Sequence, residues 1–313
     1  MKEDYSKWFV LIWNLDVEES LLKMGDGVYI RRLDNHISVF DLAAVGAAGF
    51  REWAMLEPFL SGCVCEIESA EVAAIEPGYD TLNRAWLASA LLKLKGFGAH
   101  LPLACSSYSW NLIGGHQERT KDVFEAQLRE EGVEAAVYSP ERALPAFKGQ
   151  LLELHSRLLV PENTKRMLTK EDAGWINDNY EGFNYLAAKS EGFRFALSAA
   201  GNWQYASGSR MAIAQLWSGI EALLGINSEL VYRISLQVAS LLEERGAARR
   251  DRFKQLKKLY AARSKAVHGE ELSDEKLHEA MVQSSDILNR LLLKNVEKGR
   301  PLNSGDFEEA ILG

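Results

Sequence analysis

Cysteine is scarce in this chain, with three in 313 residues. An odd, small count cannot build a paired disulfide framework and points to a reducing compartment. Long apolar runs are missing too, and none approaches the ~18 residues that a membrane-spanning helix needs. The opening "MKEDYSKWFVLIWNLD" mixes acids into its start, and its apolar run is only about six residues long. That is shorter than the core of a secretory signal. These absences predict a cytoplasmic protein with no membrane partner.

Recognisable catalytic signatures are equally thin. There is no G-x4-G-K-[ST] phosphate loop and no G-x-S-x-G nucleophile elbow. "GFGAHL" at 96–101 lacks the third glycine of a dinucleotide loop and follows a helical pattern instead of a strand. Cys63 and Cys65, with Cys105 and either His100 or His116, are the one set that suggests zinc. Their spacing is not the C-x2-C of metal knuckles, and small buried cysteines explain them better. No metal and no cofactor is expected. His36, His100, His116, His155 and His278 have no matching nucleophile or acid pattern nearby.

Charge is present but unevenly spread. The net charge of −8 argues against a general nucleic-acid coat. Residues 245 to 265 nevertheless hold nine basic side chains against Asp251 alone, so this stretch carries +8 and the remaining chain −16. Such a run is either a solvated helix face or a patch that attracts phosphates on an otherwise acidic body.

The sequence divides near residue 165, giving a fold class of α+β. The first half, 1–165, reads as a mixed α/β domain. "WFVLIWNL", "GVYIRRL", "ISVFDL", "CVCEIESA" and "AHLPLACSSYSW" are predicted strands, and "TLNRAWLASALLKLKGFG" a helix stopped by Gly96. "QERTKDVFEAQLREEG" reads as a surface helix or long loop. Three of the seven prolines fall in 140–168 and mark the transition.

Residues 166–298 read as an all-α bundle. Thr169 and Asp172 resemble a capping box that opens a segment running to about Ala200. The next helix places Ile213, Leu216, Trp217, Ile220, Leu223 and Leu224 on one face and stops at Gly225. Ser228 caps a helix with Leu230, Val231, Ile234, Val238, Leu241 and Leu242, which stops at Gly246. A third helix runs from Ala247 to His268, and Ser273 caps a fourth. The short connections predict antiparallel neighbours in an up-and-down bundle. The tail, 299–313, is expected to be loose.

The third helix ends in "LKKLYAARSKAVHG" and contains an anomaly. Phe253, Leu256, Leu259, Tyr260, Ala266 and Val267 form one apolar stripe, and Arg263 falls close to its middle. A buried guanidinium needs a partner or a wet groove. Arg263 is therefore either half of a structural ion pair or part of a cleft or subunit interface that meets an anion. His268, five residues on, sits at the glycine-capped helix end. R-x4-H spacing alone is a common accident; the broken stripe, the helix end and the basic run give it weight.

On "LWSGIEALLG", "ELVYRISLQVASLL" and "FKQLKKLYAARSKAVHG", the C-terminal half resembles a HEPN domain of the Apea-like group over roughly residues 170–295. The N-terminal half resembles no named family. The resemblance implies a metal-independent endoribonuclease of anti-phage defence or a toxin–antitoxin system. It would work as a homodimer, with R-x4-H motifs facing each other across a groove and RNA, tRNA among the candidates, as substrate. Arg263 would stabilise charge on the pentacoordinate phosphate. His268 would act as base on the 2′-hydroxyl or acid on the leaving 5′-oxygen.

Ser264 stands where active members often carry Asn, Asp or His. With Lys265, Glu221, Tyr232 and Arg233 it makes up the supporting set; Glu221 would orient Arg263 or His268, or form a simple ion pair. Arg249, Arg250, Lys254, Lys257 and Lys258 would form the RNA-binding patch. The N-terminal domain would sense a phage or host trigger. The alternative is a non-catalytic HEPN module that binds RNA, nucleotide or a protein partner. A plain helical scaffold is the third reading.

Overall fold

The computed structural model describes residues 7–45, 53–69, 84–116, 126, 129–130, 144, 147–152, 158–226 and 230–313. The chain separates into two compact units. One comprises residues 1–89, 99–154 and 164–178, the other residues 90–98, 155–163 and 179–313. The architecture is α+β, with an antiparallel sheet in the first unit and a helical second unit. The boundary is interleaved, where the sequence suggested a single cut near 165. Lys93 shows why 90–98 belongs with the helices: its buried Nζ donates to Gly201 O at 2.8 Å and lies 3.6 Å from the Tyr205 ring centre. Burial holds this amine well below the usual lysine range. Among the described residues, no helix is long and apolar enough to cross a membrane.

In the first unit the strands are β1 (Trp8–Trp13), β2 (Asp16–Val17), β3 (Leu21–Gly25), β4 (Val28–Arg32), β5 (Cys63–Ser69), β6 (Leu101–Ser106), β7 (Gly149–Leu151) and β8 (Met167–Leu168). Six form one sheet in the order β3-β4-β5-β1-β6-β7, every neighbouring pair antiparallel. β2 and β8 form a separate parallel pair. The unbroken apolar run of β1 fits its place between β5 and β6, where Phe9 to Ile12 are buried.

The helices of this region are α1 (Val39–Ala44), α2 (Glu57–Leu60), α3 (Arg84–Leu94) and α4 (Trp110–Ile113). "ISVFDL" was expected as a strand and forms α1 instead. Ser38 Oγ accepts from Asp41 N, and the Asp41 carboxylate accepts from Ser38 N, a reciprocal capping box that commits the segment to a helix. The helix over "TLNRAWLASALLKLKGFG" is described from Arg84 onward. Most of "QERTKDVFEAQLREEG" lies outside the described residues.

One buried carboxylate stands out in the sheet. Glu66 on β5 accepts from Ser109 Oγ at 2.7 Å and from Trp110 N at 2.6 Å. Burial pushes it up to about 7, against the lowering effect of those two bonds and of Arg31.

The second unit carries α5 (Lys170–Lys189) in part, α6 (Glu191–Asn202), α7 (Ser209–Leu224), α8 (Leu230–Leu242), α9 (Ala247–His268), α10 (Asp274–Lys298) and α11 (Ser304–Leu312). The segment expected to run unbroken to Ala200 divides at Ser190, whose hydroxyl caps α6 by accepting from Phe193 N. α7 is the central helix and packs against α6, α9 and α10. All six apolar residues predicted for its core face are buried. Gly219 permits the close approach, since a Cβ there would lie 2.9 Å from Ala199 Cβ and 3.1 Å from Leu288 Cδ2. Trp217 donates from Nε1 to Ser284 Oγ at 3.0 Å and meets Tyr260 edge-on. Ser228 lies outside the described residues.

The tail is not loose. After Gly299, Asn303 and Asp306 form a second capping box, and Arg300 grips the Asp306 carboxylate through both terminal nitrogens at 2.6 and 2.7 Å. Leu302 and Phe307 are buried, and α11 packs on α8. Arg245 and Arg249 donate to the Ile311 and Ala310 carbonyls, satisfying the helix end.

Candidate functional site

α9 supplies both residues of the R-x4-H pair. Its stripe packs as expected at Leu256, Leu259, Tyr260 and Ala266, which are buried, while Phe253 is half-buried and Val267 exposed. Arg263 is half-buried at the contact with α7. Its Nη2 lies 3.3 Å from Glu221 Oε1 and 3.5 Å from Oε2, and its guanidinium sits 5.5 Å from the Tyr260 ring centre. Both side chains of the pair are 23% exposed. Arg263 Nε is buried with no hydrogen-bond partner among the described residues. Glu221 Oε1 is likewise buried without a hydrogen-bond partner among the described residues, so what this guanidinium can offer a ligand is its solvent-accessible part and not Nε. Tyr260 feels the same environment: burial raises its phenol, Glu221 adds to the rise, and Arg263 opposes it.

His268 is exposed in the last turn of α9, where Gly269 closes the helix with φ of 76°. That left-handed cap is legible from sequence. A second device at this end is not. Arg210, at the start of α7, donates to the carbonyls of Lys265, Ala266 and Glu270. Its guanidinium thus gathers orphan acceptors at the helix terminus. The only sequence hint was a cation just inside a helix N-terminus, where the macrodipole disfavours it.

The structure brings Glu221 to Arg263 across 42 positions of sequence. It does not bring His268 to the same side of α9, because five residues turn an α-helix by about 140°. Ser264 is half-buried beside Arg263, and Lys265 is exposed. Tyr232 on α8 is exposed and meets Phe253 edge-on at 5.8 Å, ten residues before Arg263; Arg233 is exposed on the same helix.

The basic run divides by role. Arg249 is held on the end of α11, and Arg252 joins Arg290 on the Glu243 carboxylate. Arg250, Lys254, Lys257 and Lys258 are exposed. Lys254 and Lys258 line a groove of about 670 Å³ between α9 and α10. The three cysteines are buried thiols, with Cys63 pushed up to about 12 and Cys105 to about 11 by burial. Among the described residues, no group of three or more His, Cys, Asp or Glu is placed to hold a metal ion.

Compared with protein-family models, with curated proteins and with solved structures, the chain shows no match.

Proposed function

We propose that the chain is a HEPN-like, metal-independent endoribonuclease of the cytoplasm, acting as a homodimer in anti-phage defence or a toxin–antitoxin system. The observation that carries the reading is the end of α9: Arg263 half-buried yet solvent-accessible against Glu221, and His268 exposed on a helix end fixed by Gly269 and Arg210. In the reaction a ribose 2′-hydroxyl attacks the adjacent phosphorus and the bond to the 5′-oxygen breaks. The products are a 2′,3′-cyclic phosphate and a free 5′-hydroxyl. Arg263 stabilises charge on the phosphorane, while His268 takes the 2′-hydroxyl proton or delivers one to the 5′-oxygen.

A second copy supplies what one bundle lacks. Arg263 and His268 point about 140° apart on α9, so one phosphate is reached more readily by residues of two facing helices. Met211 and Val267, on the two elements that Arg210 joins, are 58% and 48% exposed and suit such an interface. The N-terminal unit is the sensor of the trigger in this scheme.

The test is cleavage of total tRNA and of a mixed-sequence RNA in EDTA, wild type against His268→Ala. Cutting by wild type alone supports the proposal; no cutting by either counts against it. One observation favours the alternative of a non-catalytic binding module: Glu221 already neutralises Arg263 within a single bundle. In that case RNA is bound by wild type and by His268→Ala alike, and neither cuts.

A further inference from the structure

The groove between α9 and α10 lies away from the Arg263–Glu221 pair. From α9 it is lined by Lys254, Lys258 and Lys265, and from the start of α10 by Lys276. At 100° per residue the three α9 lysines fall within an arc of roughly 40°, so they form one row along the helix. Arg263 lies roughly 160° from that row, on the opposite flank. His268 does not: it follows Lys265 by three residues, the spacing at which helical side chains are neighbours. The row therefore leads to the histidine.

The groove's chemistry is selective. Its floor includes Ala261, Ala262 and Ala280, small residues that leave the trough open where α9 and α10 face each other. It holds no aromatic side chain to stack on a base and no arginine to fork a base edge. Lysines act as flexible point charges, which suits phosphate contacts without sequence reading. From Lys254 to Lys265 the row spans about 16 Å at 1.5 Å per residue. That covers about five nucleotides of a stacked strand at 3.4 Å each. Two carboxylates share the lining. Asp251 lies 4.0 Å from Lys254, and Glu279 accepts from Gln283. Four lysines against two acids leave the groove at +2 on a chain of −8.

We propose that this groove is the track for the phosphate backbone of a single RNA strand, with Lys254, Lys258, Lys265 and Lys276 delivering it to His268. The inference rests on the proposed ribonuclease reading for the identity of the strand, but its test is a binding measurement and stands apart from cleavage.

The probe is a fluorescein-labelled 12-nucleotide single-stranded RNA of mixed sequence, read by anisotropy in EDTA from 50 to 200 mM salt. The proteins are the full chain as wild type, Lys258→Glu/Lys276→Glu and Lys189→Glu. Lys189 is exposed at the end of α5, far along the chain from the groove, and controls for a general change of charge. All are checked by thermal melting. The groove variant should bind at least about tenfold more weakly, with its log–log salt slope reduced by about 1.4, or 0.7 for each lost contact to a single strand. Lys189→Glu should bind as wild type does. Equal weakening by Lys189→Glu, full binding by the groove variant, or no wild-type binding at 50 mM salt would each overturn the track. A duplex or a DNA strand bound more tightly than the RNA overturns it as well. Groove-dependent binding without cleavage by wild type leaves the track standing and removes the ribonuclease reading.

Discussion

Replacing Arg263 with methionine separates what this residue does for the bundle from what it does for a ligand. Two unit charges 3.3 Å apart attract by about 5 kcal/mol at an effective dielectric constant of about 20. Most of that is offset by desolvating two groups that are each 23% exposed. An exposed pair contributes about 0.2–1 kcal/mol and a buried one costs about 3–5 kcal/mol to break. The Arg263–Glu221 pair lies between and nearer the lower bound, at about 1 kcal/mol of coupling, because both side chains are partly exposed although Glu221 Oε1 itself is buried. Methionine keeps the aliphatic stem against Tyr260 and leaves Glu221 partly hydrated. The expected loss is about 1 kcal/mol, or a fall in melting temperature of about 2–4 °C.

On the proposed ribonuclease reading, RNA cleavage should fall far more, by about a hundredfold or beyond, which is the usual effect of removing a donor that stabilises transition-state charge. The assay is a double-mutant cycle of Arg263→Met with Glu221→Gln, each variant melted and each tested on the same RNA. Wild-type cleavage by Arg263→Met would refute the role given to this guanidinium. A melting temperature more than about 10 °C lower would refute the placement of the pair at a wet contact and make it a core ion pair.

Glu66 makes the first unit sensitive to pH. Its folded value of about 7 lies above the ordinary 4.5, so its contribution to stability is fully present below pH 4.5 and is lost as pH rises to 7. The total is about 3 kcal/mol. Glu66→Gln should flatten that part of a urea-denaturation series between pH 5 and 8, because glutamine can accept from Trp110 N and donate to Ser109; an unchanged slope would assign the dependence elsewhere. Gly219→Val should destabilise the helical unit by about 1–3 kcal/mol in thermal melts, since its side chain overlaps Ala199 and Leu288, and an unchanged melt would show that the helices can part at no cost. Truncation after Gly299 should lower the melting temperature by several degrees, because it strips Phe307 and Leu302 from their packing and removes the Ile311 and Ala310 carbonyls that accept from Arg245 and Arg249; a stable truncation would mean that α11 adds nothing.

The helical half was legible at most of its glycine stops; the exception is Gly246, which caps the start of α9, while α8 ends four residues earlier at Leu242. Gly225, Gly269 and Gly299 each close a helix with φ of 60°, 76° and 66°, the left-handed geometry that glycine adopts without steric cost. The α1 segment was not legible because "ISVFDL" is too short for period 2 and period 3.6 to be told apart, and only the side chains of Ser38 and Asp41 decide it. The tail misled for a related reason: it is held by two isolated buried residues, Leu302 and Phe307, and by the polar cap of Arg300, Asn303 and Asp306, with no continuous apolar stripe to announce them. In the candidate site, the guanidinium in an apolar stripe was visible one-dimensionally. The contributions of Arg210 and the α9–α10 groove were not, since each depends on residues that approach only after the helices pack.

Helix ends ordinarily fray, and a side chain in the last turn samples a wide cone of positions. Arg210 changes that for α9. Its three acceptors lie on Lys265, Ala266 and Glu270, so the backbone on both sides of His268 is tied to the first turn of α7. Opening of this turn must break the ties to Arg210 as well as the intrahelical bonds. Amide exchange here should thus follow the slow opening of the α7 contact instead of the fast unwinding of a free terminus. The imidazole is presented from a stiff base, with its freedom confined to its own two rotatable bonds.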